Sequence, residues 1–140
     1  MENTTDLTPI GVVLPFRGGD SGYFDQSYDT LTQIKSNIIN LLNTRPGERR
    51  MQPTLGSRLW NLIFEQNIDT ISDIAVNLVK EDISAWIPNV TVINVTANLL
   101  KSNQSSDDSD IYRLSIAVQF MLNMTKQQDT VTIVVENITA

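Results

Sequence analysis

The chain has no cysteine and no histidine among its 140 residues. Without cysteine there are no disulfides, thiolate nucleophiles or zinc–thiolate sites. Without histidine there is no imidazole base for a catalytic triad and no His-ligated metal. Charge is sparse as well: 19% of residues are Asp, Glu, Lys or Arg, and the net balance is −6. An acidic chain is poorly suited to neutralising phosphates in bulk, so nucleic acid is not expected as a partner. No apolar stretch approaches the roughly 18 residues of a membrane span, so no membrane partner is expected either. The first ten residues, MENTTDLTPI, lack a basic start and a long apolar run, which is not the pattern of a signal peptide. On that footing the six N-x-S/T sequons, at Asn3, Asn89, Asn94, Asn103, Asn123 and Asn137, read as chance products of an Asn/Thr-rich chain. No cofactor and no metal is expected.

What remains is enough to fold. Hydrophobic residues make up 41% of the chain, and the length fits one domain. Much of the other surface is Asn, Thr, Ser and Gln, which suits either contact with other protein or an ordinary neutral exterior. Residues 1–27 hold Pro9, Gly11, Pro15, Gly18, Gly19 and Gly22, so helix is disfavoured. They are read as an N-terminal arm ahead of a domain over 28–140, lying on that domain or on a neighbour. From Tyr28 to Thr44 apolar residues recur at Leu31, Ile34, Ile38, Leu41 and Leu42, the spacing of a helix that Pro46 and Gly47 end. Leu59 to Phe64 predicts a short helical turn plugging the core, with Trp60 and Phe64 on one face.

A second long helix is predicted over Thr70–Trp86, capped by Asp69 or Thr70. Its apolar stripe is Ile71, Ile74, Ala75, Leu78, Val79, Ile83 and Trp86, and Pro88 stops it. The last third alternates with period two: Ile93, Val95, Ala97 and Leu99, then Tyr112 through Met124, then Val131, Ile133 and Val135, followed by Ile138. These observations predict an α+β, two-layer fold: two main helices packed on one face of a small antiparallel sheet with open edges. Open edges can accept a strand from another chain, and Val131, Ile133 and Val135 of the last strand are candidates for that contact.

The segment NTRPGERRMQPTLGSRLW, residues 43–60, concentrates Arg45, Arg49, Arg50 and Arg58 in an acidic chain. Arg pairs bidentately with carboxylates and is a favoured interface anchor, so the loop suits a protein partner. Equally, each Arg could brace its own loop. Glu48 and Glu65 flank the segment and could act as a glycosidase pair if held about 5 to 10 Å apart. In a chain with 16 acidic residues such a pair arises easily, and Glu48 is better read as pairing with a nearby Arg. Asp107, Asp108 and Asp110 lack the glycine and distant Glu of a calcium loop and read as a solvated hairpin.

Over residues 28–138 the chain resembles the small baseplate wedge proteins, or sheath initiators, of contractile-tailed phages of the T-even type. The resemblance rests on LLNTRPGERRMQP, a following glycine and LWNLIFEQ, in which Thr44, Arg45 and Gly47, Pro53 and Gly56, and Leu59, Phe64 and Glu65 fit the family pattern. It implies a fold like the C-terminal domain of the sheath subunit. It implies a structural, non-enzymatic role in the baseplate of a virion tail assembled in the host cytoplasm. The implied partners are other wedge subunits, including a helical core bundle, and the tail sheath protein. The implied arrangement is several copies, six per baseplate, that template the first sheath ring by strand addition. The implied contact residues are Arg45, Glu48, Arg49, Arg50, Pro53, Gly56, Trp86 and Pro88, beside the last strand. Family members carry Glu-Pro-Arg after the second helix, whereas here Pro88 stands between Ile87 and Asn89. The family has also been labelled lysozyme-like, which leaves a glycoside hydrolase using Glu48 and Glu65 as the alternative function.

Overall fold

A computed structural model describes residues 8–19, 23–62, 64, 68–102 and 111–136. Among these residues, three helices and two antiparallel sheets follow in order: β1 (Gly11–Val12), β2 (Gln26–Ser27), α1 (Thr30–Asn43), α2 (Leu59–Leu62), α3 (Ile68–Trp86), β3 (Val90–Ser102), β4 (Ile111–Leu122) and β5 (Gln128–Glu136). The predicted two-layer α+β architecture is the observed one. The main sheet has the order β3-β4-β5, with α3 packed over β3 and α1 over β5.

The strict alternation of β4 makes it the centre of the core. Leu114, Ile116, Val118, Phe120 and Leu122 all point at the helices and are buried. Val131, Ile133 and Val135 of β5 flank them, and Val95 does so from β3. From above, Ile38, Leu41 and Leu42 of α1 and Ile71, Ala75, Val79 and Ile83 of α3 close the layer. Burying so many aliphatic side chains at ~1.5–3 kcal/mol each is the main force holding helices to sheet. Lys35 of α1 adds an ion pair to Asp129 at the start of β5, 3.0 Å long. Both groups are partly exposed, so its contribution is small.

Several expectations need correction. Ile93 does not alternate with Val95: a bulge between Val92 and Asn94 inserts one residue, so Val92 and Val95 both face inward and Ile93 is 43% exposed. Met124 is not in β4 but in the turn after it, and is exposed. Within the stripe of α3, Ile74 and Trp86 are exposed rather than buried in the core. The helix starts at Ile68, so Asp69 and Thr70 sit inside its first turn rather than ahead of it. Phe64 is 69% exposed and does not share a face with the half-buried Trp60, since α2 ends at Leu62. The core plug is made by Leu59 and Leu62 instead.

Of the expected arm, the described part lies on this domain. β1 and β2 pair as a two-residue ribbon beside α1. The backbone N–H of Leu14 donates to Ser36 Oγ at 3.0 Å, and the Ser27 hydroxyl donates to Gln33 Oε1. Glu65, Asp107, Asp108, Asp110 and Ile138 lie outside the described residues.

Candidate docking surface

The basic loop is built by its own backbone. Thr44 ends α1: its hydroxyl donates to Asn40 O at 2.6 Å, and its extended ψ of 131° turns the chain away. Its carbonyl then accepts from the N–H of Ser57 at 2.8 Å, closing a loop of twelve residues between them. At that closure Gly56 has a φ of +138°, and a Cβ there would lie 2.7 Å from Thr44 O and 2.8 Å from Pro46 N. Only glycine fits. Gly47, at φ +91°, donates its N–H to Pro53 O at 2.8 Å across the loop. These contacts explain why threonine and two glycines stand at this spacing.

The side chains divide between bracing and exposure. Arg45 stacks its guanidinium 4.6 Å from the centre of the Trp60 ring. Its N–H donates to Glu48 Oε2 at 3.1 Å, so Glu48 folds the turn. Arg49 donates from Nη2 to Asn40 Oδ1 at 3.2 Å, tying the loop to α1. Arg50 is exposed and has no partner among the described residues, and Pro53 is exposed beside it. Ser57 is fully buried and bonds Asp82 of α3. Burial pushes the Asp82 carboxyl up, while that bond and the nearby Arg58 charge work against the rise.

Between this loop and the end of α3 lies a groove of about 280 Å³. Its walls are Ile34, Asn37, Asn40 and Leu41 of α1, Leu55 of the loop, and Trp86, Ile87, Pro88 and Asn89 of the corner where Pro88 halts α3. The structure therefore brings the Trp86–Pro88 corner and the loop, far apart in sequence, onto one surface. Among the described residues that line the groove none is titratable. Sequence reading missed Asn37, Asn40 and Leu55. The two asparagines are three residues apart on the polar side of α1, a spacing that could have marked them as neighbours.

The second feature is the outer edge of β5, with which no strand pairs among the described residues. Leu122 N donates to Gln127 O, in line with the register that pairs Val118 with Val131 and Ile116 with Ile133. Antiparallel alternation then directs the main chain of Val131, Ile133 and Val135 to β4, and that of Thr130, Thr132 and Val134 outward. Since the side chains of Val131, Ile133 and Val135 are also buried, a strand added here would bond their neighbours. Gly56 likewise shapes the loop from a buried position. Among the described residues no group of three or more His, Cys, Asp or Glu could hold a metal ion, and no helix is long and apolar enough to cross a membrane.

Residues 29–127 match the family model described as Baseplate wedge protein gp25. No curated protein matches the chain. Solved structures with the same fold include a candidate tail lysozyme from Geobacter sulfurreducens, at 24% identity and a TM-score of 0.62, covering 76% of this chain and 90% of that one. A chain of the anti-feeding prophage baseplate aligns at 20% identity and a TM-score of 0.59, covering 80% and 83%. A chain of the type VI secretion system baseplate complex aligns at 11% identity and a TM-score of 0.51, covering 78% and 94%. At these identities the likeness concerns the fold.

Proposed function

The chain belongs to the family of the baseplate wedge protein gp25 and is a structural component of a baseplate; from that premise we propose that it docks on other wedge subunits and templates the first sheath ring. Residues 28–140 are the working domain and residues 1–27 an arm. The observation that carries this reading is a pair of surfaces on one small domain: a strand edge with which no described strand pairs, and a preformed groove on the helical layer.

A strand from the tail sheath protein would extend the sheet beyond β5. The outward N–H and C=O groups of Thr130, Thr132 and Val134 would supply affinity, and the exposed Val134 side chain a register contact. The loop residues Arg49, Arg50 and Pro53 and the corner residues Trp86 and Pro88 would meet the wedge, including its helical core bundle. Arg45, Glu48 and Gly56 would act by holding the loop in shape. Six copies around the tail, assembled in the host cytoplasm, would each present one such edge.

Two variants test the two halves. Arg49→Glu with Arg50→Glu should cut incorporation into baseplates at least tenfold while leaving the thermal midpoint nearly unchanged. Thr132→Pro removes an outward N–H at a sheet edge, where proline is tolerated. It should leave the protein folded and incorporated but block sheath polymerisation. Normal sheath on baseplates carrying Thr132→Pro would refute the strand-addition half.

A further inference from the structure

We propose that the outer edge of β3 holds a bare, extended and uncharged segment of another baseplate subunit, whose apolar side chains at every second position finish the core beneath α3. This rests on the baseplate reading above but not on the strand assigned to β5.

The core is closed on one side of the sheet and open on the other. Directly opposed residues share a face, so Val95, Ala97 and Leu99, opposite Val118, Ile116 and Leu114, point toward the helices. On β5 the corresponding row, Val131, Ile133 and Val135, is buried throughout. On β3 Val95 is buried, but Ala97 and Leu99 stay partly exposed although α3 lies over this strand. A helix with its side chains is about 10–12 Å across and strands are about 4.8 Å apart, so α3 overhangs the space beside β3.

Main-chain groups point into that space. The bond from Leu122 N–H to Gln127 O turns the even-numbered residues of β4 toward β5 and the odd-numbered ones toward β3. The odd-numbered residues pair with Asn94, Thr96, Asn98 and Leu100, which leaves the N–H and C=O groups of Val95, Ala97 and Leu99 directed outward. No strand pairs with that edge among the described residues. Donors and acceptors at this spacing match an extended backbone, not a helix, whose groups bond internally. Bare edges are usually guarded by charge or proline. Residues 94–100, NVTANLL, have neither, whereas β5 carries Asp129 and Glu136 near its ends.

The overhang limits what can dock. A second copy pairing through its own β3 would bring its α3 about 4.8 Å from this one, where packed helices need about 8–10 Å between axes. A bare segment meets no such clash. Its residues opposite Val95, Ala97 and Leu99 turn under α3 and are apolar. The alternate ones lie beside the exposed Thr96 and Asn98 and are polar. The described arm does not fill the place, because it lies along α1 on the β5 side. An unguarded apolar edge promotes aggregation, so its cover comes from a baseplate subunit, before sheath is added.

The test compares amide exchange in the free protein and in baseplates without sheath. The N–H groups of Val95, Ala97 and Leu99 should slow at least a hundredfold in baseplates, while those of Thr96 and Asn98, directed to β4 in both, change little. A density map of the same particles should show the extended segment beside β3. Ala97→Pro removes one outward N–H at an edge, where proline is tolerated, and Leu99→Glu places a charge under α3 with the backbone intact. Both should keep the circular dichroism spectrum and lower incorporation at least tenfold; exchange and density decide the matter even if neither variant folds. Unchanged exchange at all three amides, or normal incorporation of both variants, would overturn the proposal. So would a helix, a second copy or this chain's own terminus beside β3, or a segment that arrives only with sheath. If Arg49→Glu with Arg50→Glu still blocks incorporation in that case, the docking reading stands; normal incorporation of that variant as well would overturn both.

Discussion

Gly56 is the residue on which the loop's shape depends most directly. Its positive φ and the backbone of Thr44–Pro46 pressed against it leave no room for a side chain. Gly56→Ala should cost at least ~2 kcal/mol, since left-handed strain alone is about 1–2 kcal/mol and the contact adds to it. Gly47→Ala meets open space and should cost only the strain, which a comparison of thermal midpoints will resolve. Asp82 makes a different prediction. Burial raises its carboxyl above the ordinary 3.8, and its Oδ2 is buried with no partner among the described residues. A raised folded value means the folded protein holds a proton that the unfolded chain has lost. The stability this gives is fully present below the unfolded value and disappears as pH rises through the folded one. Asp82→Asn should therefore stabilise the protein more at pH 7 than at pH 3, measured by urea unfolding at both.

Among the elements, β4 carries the fold and α3 has side chains to spare. Phe120, fully buried at the centre of the sheet, should lose about 3–5 kcal/mol on truncation to alanine. Ile74→Ala, on the exposed rim of α3, should change the urea midpoint little. The strands of β4 and β5 were legible in sequence because each buries one face, which forces strict alternation. β3 was legible only in part. Its bulge breaks the period between Val92 and Asn94, and an apolar residue such as Ile93 gives no sign of facing water. The exposure of Phe64 was hidden for the same reason: spacing tells which residues share a face, not whether anything covers it.

Taken whole, the molecule is a small sheet roofed by helices, with the ribbon of the arm lying along α1. The described part of the arm adds contacts such as Leu14 to Ser36 and Ser27 to Gln33, and none of its residues belongs to the hydrophobic core. Deleting residues 1–27 should lower stability by about 1–2 kcal/mol and leave a single cooperative urea transition. That outcome would support residues 28–140 as the domain. Two transitions, or no folded protein, would place the arm within the folding unit. The docking surface belongs to this scale too, because its walls come from α1, the loop and the corner after α3.

Local chemistry let the sequence determine much on its own. Missing cysteine and histidine closed whole classes of reaction, periodicity set helices and strands, and Pro46, Gly47 and Pro88 set where helices stop. It also marked residues 43–60 as unusual. The division of labour within that stretch was decided only by the tertiary structure. Arg45 is spent on Trp60, Glu48 on the turn and Arg49 on Asn40, while Arg50 stays exposed. The same holds for the groove and for the outward main chain of Thr130, Thr132 and Val134. Side-chain identity fixes what a residue can bond, but which neighbours arrive to use those bonds depends on how distant segments pack.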